Sequence, residues 1–298
     1  MKYFILFFVV VLLCSCREAT SYGPQEQLIS AAISSQDRLI TDRRYQVYLP
    51  PSYYKKKNQT YPVLYLMDGA VQFGEPSEWS GFSWNSHIVM DSLVALGQME
   101  EVILIGIDNA NKKRFSEYMP QKPGEIYWQM AKDSIKRSLA YPLYADQFLS
   151  FLTKELKPEI DKTYRTKTDV ANTFIGGSSM GGLISMYAMC EYPNIFGGAL
   201  CLSTHWIVGY DDSLPEASDA LVEYFATKLP QAKKWYFDYG TEGLDQYYEK
   251  QQVRIDSILR ANHYTHENWK TLSFEGHGHN EYYWNQRLYI PFTFAFAK

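Results

Sequence analysis

Seven short apolar runs, alternating with stretches of helical periodicity, constrain the fold of this chain more than any other feature of its sequence. Most of the runs are apolar throughout rather than at every second residue, which is typical of strands buried on both faces. The runs cover residues 43–53, 61–69, 101–109, 171–178, 198–203, 234–240 and 268–276. The helical patterns cover approximately residues 86–97, 143–162, 180–192, 215–228, 245–262 and 281–297.

This alternation predicts an α/β fold: a doubly wound, mostly parallel sheet with helices on both faces, in a single domain. The length of 298 residues suits one such domain after removal of a leader. The stretch 110–142, rich in Lys, Pro and Tyr, is predicted to be an insertion over one edge of the sheet.

A serine between two glycines follows the fourth predicted strand. Gly177-Ser178-Ser179-Met180-Gly181 fits G-x-S-x-G, with a strand-like segment before it and a helical segment after it. Side chains two residues before and after such a serine would collide, and glycine removes them. The pattern predicts that Ser179 is a nucleophile on an elbow formed by Gly177 and Gly181, beside a helix amino end that favours an oxyanion. The alternative is a packing turn without chemistry.

A serine nucleophile needs a base, and the base needs an orienting acid. In this type of sheet the acid follows the serine along the chain and the histidine follows the acid. The segment "FEGHGHNEYYW" after the last strand offers His277 and His279. The segment "FDYGTEGLDQYY" offers Asp238, Glu242 and Asp245, of which Asp238 lies inside its predicted strand and is the least free to reach a histidine.

These segments carry a resemblance to a known family. Together with "VYLPPSY", "YPVLYLMDG", "IGIDNANKKRFSEY" and "YPNIFGGALCLST", they resemble the putative esterase (esterase D-like) family of α/β-hydrolases, which includes feruloyl and acetyl-xylan esterases, enterochelin esterases, S-formylglutathione hydrolase and mycolyltransferases. The resemblance covers approximately residues 27–297. It implies that His279 is the base and Asp245 the acid, with Glu242 as the alternative acid. It also implies an oxyanion hole formed by the backbone N–H groups of Met180 and Ala70.

The first residues read as a targeting segment. One lysine precedes an apolar run from Tyr3 to Leu13, which is too short to span a membrane as a helix. The following "LCSC" resembles a bacterial lipobox, so residues 1–15 are predicted to be a lipoprotein signal peptide and Cys16 to carry the lipid. Residues 16–26 would form a polar tether and residues 27–298 the esterase domain. This predicts a lipid-anchored protein of the bacterial cell envelope, at its periplasmic or outer-membrane face; a plain secretory signal is the alternative.

Charge and histidine spacing bear on other kinds of partner. The formal net charge is −4 and the basic residues are scattered, which argues against nucleic-acid binding. His263 and His266 are expected at the opposite end of the sheet from His279, and His277 and His279 alone provide fewer ligands than a zinc site needs. We therefore predict no metal and no cofactor.

Several other side chains receive structural predictions. Cys190 and Cys201 are expected to be buried free thiols rather than a disulfide. Arg114 and Glu117 are expected to form an ion pair that fixes their loop, and His205 to be structural. Four tryptophans fall in or near loops at the predicted active edge, where they either belong to the core or wall a substrate pocket: Trp79, Trp84, Trp206 and Trp284.

The sequence thus predicts a serine carboxylic-ester hydrolase that works through an acyl-enzyme without a cofactor. Its substrate would be a small-molecule or carbohydrate ester, such as acylated or feruloylated polysaccharide or a siderophore ester. Two alternatives remain open: an acyltransferase on the same fold, and a non-catalytic surface-binding lipoprotein. Neither the oligomeric state nor the two halves of the ester can be predicted from these patterns.

Overall fold

The computed structural model describes residues 27–123 and 142–298. The predicted signal peptide and tether, and residues 124–141 of the predicted insertion, lie outside the described residues.

Within residues 27–123 and 142–298, eight strands form one sheet, in the order β1-β2-β4-β3-β5-β6-β7-β8. β1 and β2 are antiparallel to their neighbours, and the strands from β4 to β8 pair in parallel. The predicted mostly parallel sheet is therefore confirmed. The strands are β1 (Leu28–Ile33), β2 (Arg43–Tyr48), β3 (Val63–Met67), β4 (Ile103–Ile107), β5 (Thr173–Ser178), β6 (Gly198–Leu202), β7 (Lys234–Gly240) and β8 (Trp269–Phe274).

Helices follow or separate these strands. They are α1 (Ser86–Ala95), α2 (Arg114–Tyr118), α3 (Ala145–Phe151), α4 (Lys157–Thr163), α5 (Met180–Glu191), α6 (Pro215–Lys228), α7 (Glu249–Ala261), α8 (Glu281–Arg287) and α9 (Tyr289–Phe296). A π-helical turn (Leu152–Leu156) joins α3 to α4, and short 3₁₀ turns cover Gly69–Val71 and Gly243–Tyr247.

Alternate residues of the central strands face two separate apolar layers. In β3, Val63, Tyr65 and Met67 belong to the cluster that packs against α3 to α7, whereas Leu64 and Leu66 belong to the cluster under α1, α8 and α9. Because both faces of the sheet are covered, every residue of β3 is buried, and the strand can be apolar throughout. This confirms the predicted double winding.

The structure departs from the sequence expectations in three places. β1 is an additional strand that pairs with β2 at the edge of the described sheet and is partly exposed, so it lacked the apolar signature of the buried strands. The segment 281–297, predicted as one helix, is divided at Leu288 into α8 and α9. The described part of the stretch 110–142 does not cover an edge: α2 follows β4, which is an interior strand of the sheet, and contacts α5 and α3.

Cys190 and Cys201 are buried free thiols, as predicted. Across residues 27–123 and 142–298, we find no helix with both the length and the apolarity needed to cross a membrane.

Candidate active site

The residues of the candidate site follow the carboxyl ends of parallel strands. Ser179 comes directly after β5, His279 lies in the loop after β8, and Asp245 lies in the 3₁₀ turn after β7. Asp68 and Asn109 follow β3 and β4 at the same edge of the sheet. Loops that leave the carboxyl ends of neighbouring parallel strands converge, so residues far apart in sequence are brought together here.

Ser179 occupies a strained turn between β5 and α5. Its φ of 57° and ψ of −123° lie in a region that residues with side chains rarely adopt. The turn is held by its backbone: Ser179 N–H donates to the carbonyl oxygen of Leu202 (2.9 Å), and His205 N–H donates to the carbonyl oxygen of Ser179 (3.2 Å). Ser178, by contrast, is the last residue of β5.

The two elbow glycines are required by close packing. A Cβ atom on Gly177 would lie 2.9 Å from Met67 Cβ and 3.0 Å from the backbone of Gly181. A Cβ atom on Gly181 would lie 3.0 Å from Met67 Cβ and 3.1 Å from Asp68 Oδ2. A side chain at either position would therefore collide with the end of β3, and one at position 177 would also collide with the other arm of the elbow.

His279 forms a short hydrogen bond with Asp245. The distance from Nδ1 to Oδ1 is 2.5 Å, and the Asp245 side chain is fully buried while that of His279 is 9% exposed. Glu242, the alternative acid, is exposed, and its backbone N–H donates to the carbonyl oxygen of His277 (3.0 Å). The structure therefore brings Asp245, and not Glu242, to the imidazole.

The second carboxylate oxygen of Asp245 accepts two further hydrogen bonds. Its donors are the hydroxyl of Ser203 (2.6 Å) and the N–H of Gly240 (2.7 Å). Burial alone would raise the pKa of Asp245, but the hydrogen bond to His279 and its charge, together with these two donors, outweigh burial and lower it. Asp245 is thus held as an anion beside His279.

The other acid of this segment, Asp238, has a structural partner. It is buried and accepts hydrogen bonds from Arg287 Nη2 (2.9 Å) and from the hydroxyl of Tyr236 (2.9 Å). Burial raises its pKa, against the opposing effect of Arg287. Because Asp238 is committed to Arg287, it does not serve His279, in agreement with the expectation that it is the least free of the three acids.

His205 is buried beneath the site and makes a structural contact. Its Nδ1 lies 2.9 Å from the hydroxyl of Tyr248, which also contacts the side chain of Ser179. Burial, and next the charge of His279, lower the pKa of His205 to about 3. A neutral His205 supports the ring of Tyr248, which packs edge-on against His279 with 5.8 Å between ring centroids.

A cavity of about 370 Å³ contains both Ser179 and His279. Its wall includes Trp79, Trp84 and Trp284, whereas Trp206 belongs to the core and donates to Gln252. The ring of Trp79 is 68% exposed and lies 6.2 Å from that of His279, so it forms the outer rim.

The charged part of the cavity wall was not anticipated. Arg114 forms a bidentate ion pair with Asp68, with Nε–Oδ1 at 2.6 Å and Nη2–Oδ2 at 2.8 Å, and Asn109 donates to the same Oδ1 atom (2.7 Å). The expected pair of Arg114 with Glu117 is wrong, because Glu117 is buried and takes Arg43 as its partner. The Asp-Gly ending of the β3 segment was the available signal for Asp68.

Glu281 adds a second carboxylate to this cavity. Its side chain is 7% exposed, and its Oε2 atom has no hydrogen-bond partner among the described residues. It lies in the first turn of α8, where a negative charge is favoured by the helix dipole. The cavity therefore holds the carboxylates of Asp68 and Glu281 and one guanidinium, which Asp68 already neutralises.

The turn after β3 bears on the predicted oxyanion hole. Val71 lines the cavity of Ser179, but its N–H already donates to the carbonyl oxygen of Asp68 (3.1 Å). Ala70 is exposed and lines a neighbouring cavity. The roles of the Ala70 and Met180 amides stay predictions; Met180 begins α5, directly after Ser179.

Within the described parts of the chain, no group of three or more His, Cys, Asp or Glu side chains is arranged to hold a metal ion.

Comparison with known sequences gives one family and several relatives. The family model described as "Putative esterase" matches residues 37–297. The chain is 30% identical over 156 residues to the uncharacterized protein YbbA of Bacillus subtilis, which covers 52% of this chain and 54% of YbbA. It is 30% identical over 157 residues to an endo-1,4-beta-xylanase/feruloyl esterase of Xylanibacter ruminicola, covering 51% of this chain and 18% of that protein. The matched region thus spans about half, or less, of these relatives.

Comparison with solved structures identifies the fold. A ferulic acid esterase superposes with a TM-score of 0.65 at 21% identity, over 90% of this chain and 97% of the other. The enterobactin esterase FES from Shigella flexneri, in the presence of 2,3-di-hydroxy-N-benzoyl-glycine, superposes with a TM-score of 0.67 at 18% identity, over 91% of this chain and 60% of the other. These likenesses confirm the predicted α/β-hydrolase fold.

Proposed function

The chain belongs to the putative esterase family, a class of carboxylic ester hydrolases, and on that premise we propose that it hydrolyses esters through a Ser179–His279–Asp245 triad. The observation that carries the proposal is the 2.5 Å contact between His279 Nδ1 and Asp245 Oδ1, in the wall of the cavity that also contains Ser179. A nucleophile, a base and an orienting acid are the three groups that acyl transfer by serine requires.

In the proposed reaction Ser179 Oγ attacks the ester carbonyl carbon while His279 Nε2 takes the hydroxyl proton. The carbonyl oxygen becomes an oxyanion, which the Met180 N–H and an amide of the turn after Asp68 would stabilise. The intermediate then expels the alcohol, which receives the proton from His279, and an acyl-enzyme remains. Water, deprotonated by His279, attacks the acyl-enzyme and releases the acid and free Ser179.

We further propose a neutral ester with an aromatic or sugar part, such as feruloylated or acylated polysaccharide, as the substrate. Three tryptophans wall the cavity, and an exposed ring such as that of Trp79 can stack on a planar acyl group or on the face of a sugar. Asp68 and Arg114 neutralise each other, so the carboxylate of Glu281 leaves the cavity wall with a negative charge that would repel an anion. These charges favour a neutral ester over an anionic ferric siderophore. The names of the ferulic acid esterase and feruloyl esterase relatives agree with this choice.

The nucleophile is tested by matched serine variants. Ser179→Ala should lower kcat by about 10⁴-fold or more, whereas Ser178→Ala should retain most activity. A fluorophosphonate probe should label Ser179, located by mass spectrometry of the labelled peptide. Labelling of Ser178, or a folded and active Ser179→Ala enzyme, would refute the triad.

The substrate is tested by a panel of esters. Methyl ferulate, acetylated xylan and a ferric catecholate trilactone should be compared at equal concentration with the same enzyme preparation. We expect hydrolysis of one or both neutral esters to exceed that of the trilactone. A clear preference for the trilactone would contradict the electrostatic argument while leaving the triad intact.

We also propose that Cys16 carries the lipid that anchors this enzyme to the cell envelope. The support is the sequence "LCSC" after a short apolar run. Two or three acyl chains would hold the protein firmly, since each buried CH₂ contributes about 0.8 kcal/mol. Mass spectrometry of the mature first residue should show acyl mass on Cys16; a soluble form without it would contradict the anchor.

A further inference from the structure

Ser203 lies between α8 and the loop that follows β7, residues 241–248, which contains Asp245 and is called the acid loop here. It follows β6 directly, is fully buried and adopts a left-handed conformation with φ of 42°. Its backbone N–H donates to the carbonyl oxygen of Asp238 (2.8 Å). The backbone of this serine is fixed by β6, which it follows, and by its hydrogen bond to β7. The position of its hydroxyl is therefore fixed as well.

The hydroxyl of Ser203 has three polar neighbours. It lies 2.9 Å from Trp284 Nε1, 2.7 Å from Arg287 Nη2 and 2.6 Å from Asp245 Oδ2. Indole and guanidinium N–H groups can only donate hydrogen bonds. The two lone pairs of the Ser203 oxygen are therefore taken by Trp284 and Arg287, and its single proton points to Asp245.

The same reasoning applies to Asp245 Oδ2. It accepts from Ser203 and from the N–H of Gly240 (2.7 Å), and the positive charge of Arg287 Nη2 lies 3.8 Å away. A proton on Oδ2 would face two donors, so Asp245 can only be an acceptor on this side. Oδ1 is then left to accept from His279 Nδ1, which places the imidazole proton on Nδ1 and leaves Nε2 unprotonated.

From this chain of donors we propose that Ser203 is a positioning residue for the triad. Because Trp284 and Arg287 donate to its oxygen, Ser203 donates its own proton to Asp245. Asp245 therefore stays an acceptor and holds His279 in the tautomer whose Nε2 can take the proton of Ser179. The inference rests on the proposed function, since it gives that site its proton order. Asp245 itself takes no proton during the reaction.

The test is Ser203→Ala, with Ser86→Ala as the matched control. Ser86 is also fully buried, and its hydroxyl donates to Gln72 (2.7 Å), away from the acid loop. Ser203→Ala should lower kcat by about tenfold and change KM by less than twofold, because an acid that is less firmly held costs rate rather than substrate binding. Ser203→Cys, whose thiol is a weak donor, should recover part of kcat. Ser86→Ala should leave both constants unchanged.

A second measurement does not depend on turnover. The proton on His279 Nδ1 should give a downfield proton NMR resonance, which should move or broaden in Ser203→Ala and stay in place in Ser86→Ala. Trp284→Phe removes one donor from the Ser203 oxygen and should produce a smaller displacement. An unchanged kcat with an unmoved resonance in folded Ser203→Ala, or in folded Trp284→Phe if Ser203→Ala does not fold, would overturn the inference. If no ester is hydrolysed but the resonance moves, the proposed function fails and the proton order stands.

Discussion

The two halves of the candidate site are built in different ways. On one side, Asp245 and His279 have side chains that are 0% and 9% exposed, and two further donors to the acid, Ser203 and Gly240, are buried. On the other side, Asp68 and Arg114 are 15% and 30% exposed and form part of the cavity wall. Both halves contain a hydrogen-bonded pair of side chains, but the pair in the first half is more deeply buried.

This difference separates two tasks. Proton transfer is the same for every ester, so its groups benefit from a fixed, buried geometry in which hydrogen bonds are strong. Contact with the substrate varies with the ester, and the charged pair of the cavity wall lies where a substrate could reach it. We therefore expect changes in the buried half to lower the rate for all esters, and changes in the exposed half to alter which ester is preferred.

The largest effect is expected from the buried half. Asp245→Asn should lower kcat by about 10⁴-fold, because an amide cannot hold the imidazole proton on Nδ1 as a carboxylate does. Steady-state kinetics on a neutral nitrophenyl ester measure this directly. Glu242→Gln is the matched control and should stay within a few-fold of the native enzyme. The reverse order would show that the acid is Glu242.

A smaller effect, of a different kind, is expected from the exposed half. Asp68→Asn keeps the size of the side chain and tolerates the left-handed φ of 57°, but leaves Arg114 without its neutralising partner. The ratio of kcat/KM for 3-carboxy-4-nitrophenyl acetate over 4-nitrophenyl acetate should rise about tenfold, equivalent to about 1.4 kcal/mol.

The control for this measurement is Glu275→Gln, which removes an exposed carboxylate from the loop before His279 without changing the cavity wall. Its ratio should match that of the native enzyme. If Asp68→Asn lowers both rates equally, the distinction between the two halves does not hold.

The last effect concerns stability rather than rate. The pKa of His205 is lowered to about 3 in the folded protein, whereas an unfolded histidine titrates near pH 6.5. Between these values the unfolded chain binds a proton that the folded chain excludes, so acid lowers the free energy of unfolding by up to about 1.4 kcal/mol per pH unit from this group. His205→Asn should make this fall less steep.

Urea denaturation between pH 4.5 and 7 measures the slope. His266→Asn, at an exposed position, serves as the control and should follow the native curve. Identical slopes for the native protein and His205→Asn would mean that His205 is more accessible to protons than its burial indicates.

The fold and the form of the serine turn could be predicted because their signals are local. Strands that are covered on both faces must be apolar throughout, and a serine turn that approaches Met67 needs glycine on both arms. The edge strand β1 was missed because it is partly exposed and carries no such pattern. The pair formed by Arg114 and Asp68 was missed because Glu117, three residues from Arg114, was a plausible local partner, whereas Asp68 meets Arg114 only through the folded sheet.

Ser203 could not be predicted for a related reason. The role proposed for it derives from the simultaneous approach of Trp284, Arg287 and Asp245, which come from two other segments of the chain. The sequence around it, "CLSTHW", carries no motif that distinguishes this serine from others in the chain. Hydrogen-bond saturation is a property of the assembled core and leaves no periodic or spacing signal.

The contact between the two loops of the acid and the base has a consequence for biosynthesis. The carbonyl oxygen of His277 accepts from the N–H groups of Thr241 (3.1 Å) and Glu242 (3.0 Å), and only a glycine at position 240 leaves room for it. The acid loop thus takes its shape against residues that are translated later. A nascent chain that has already released Ser179 from the ribosome still lacks β8, His279 and α8. In the proposed triad, Ser179 therefore has no base until β8 and the loop with His279 have also left the ribosome.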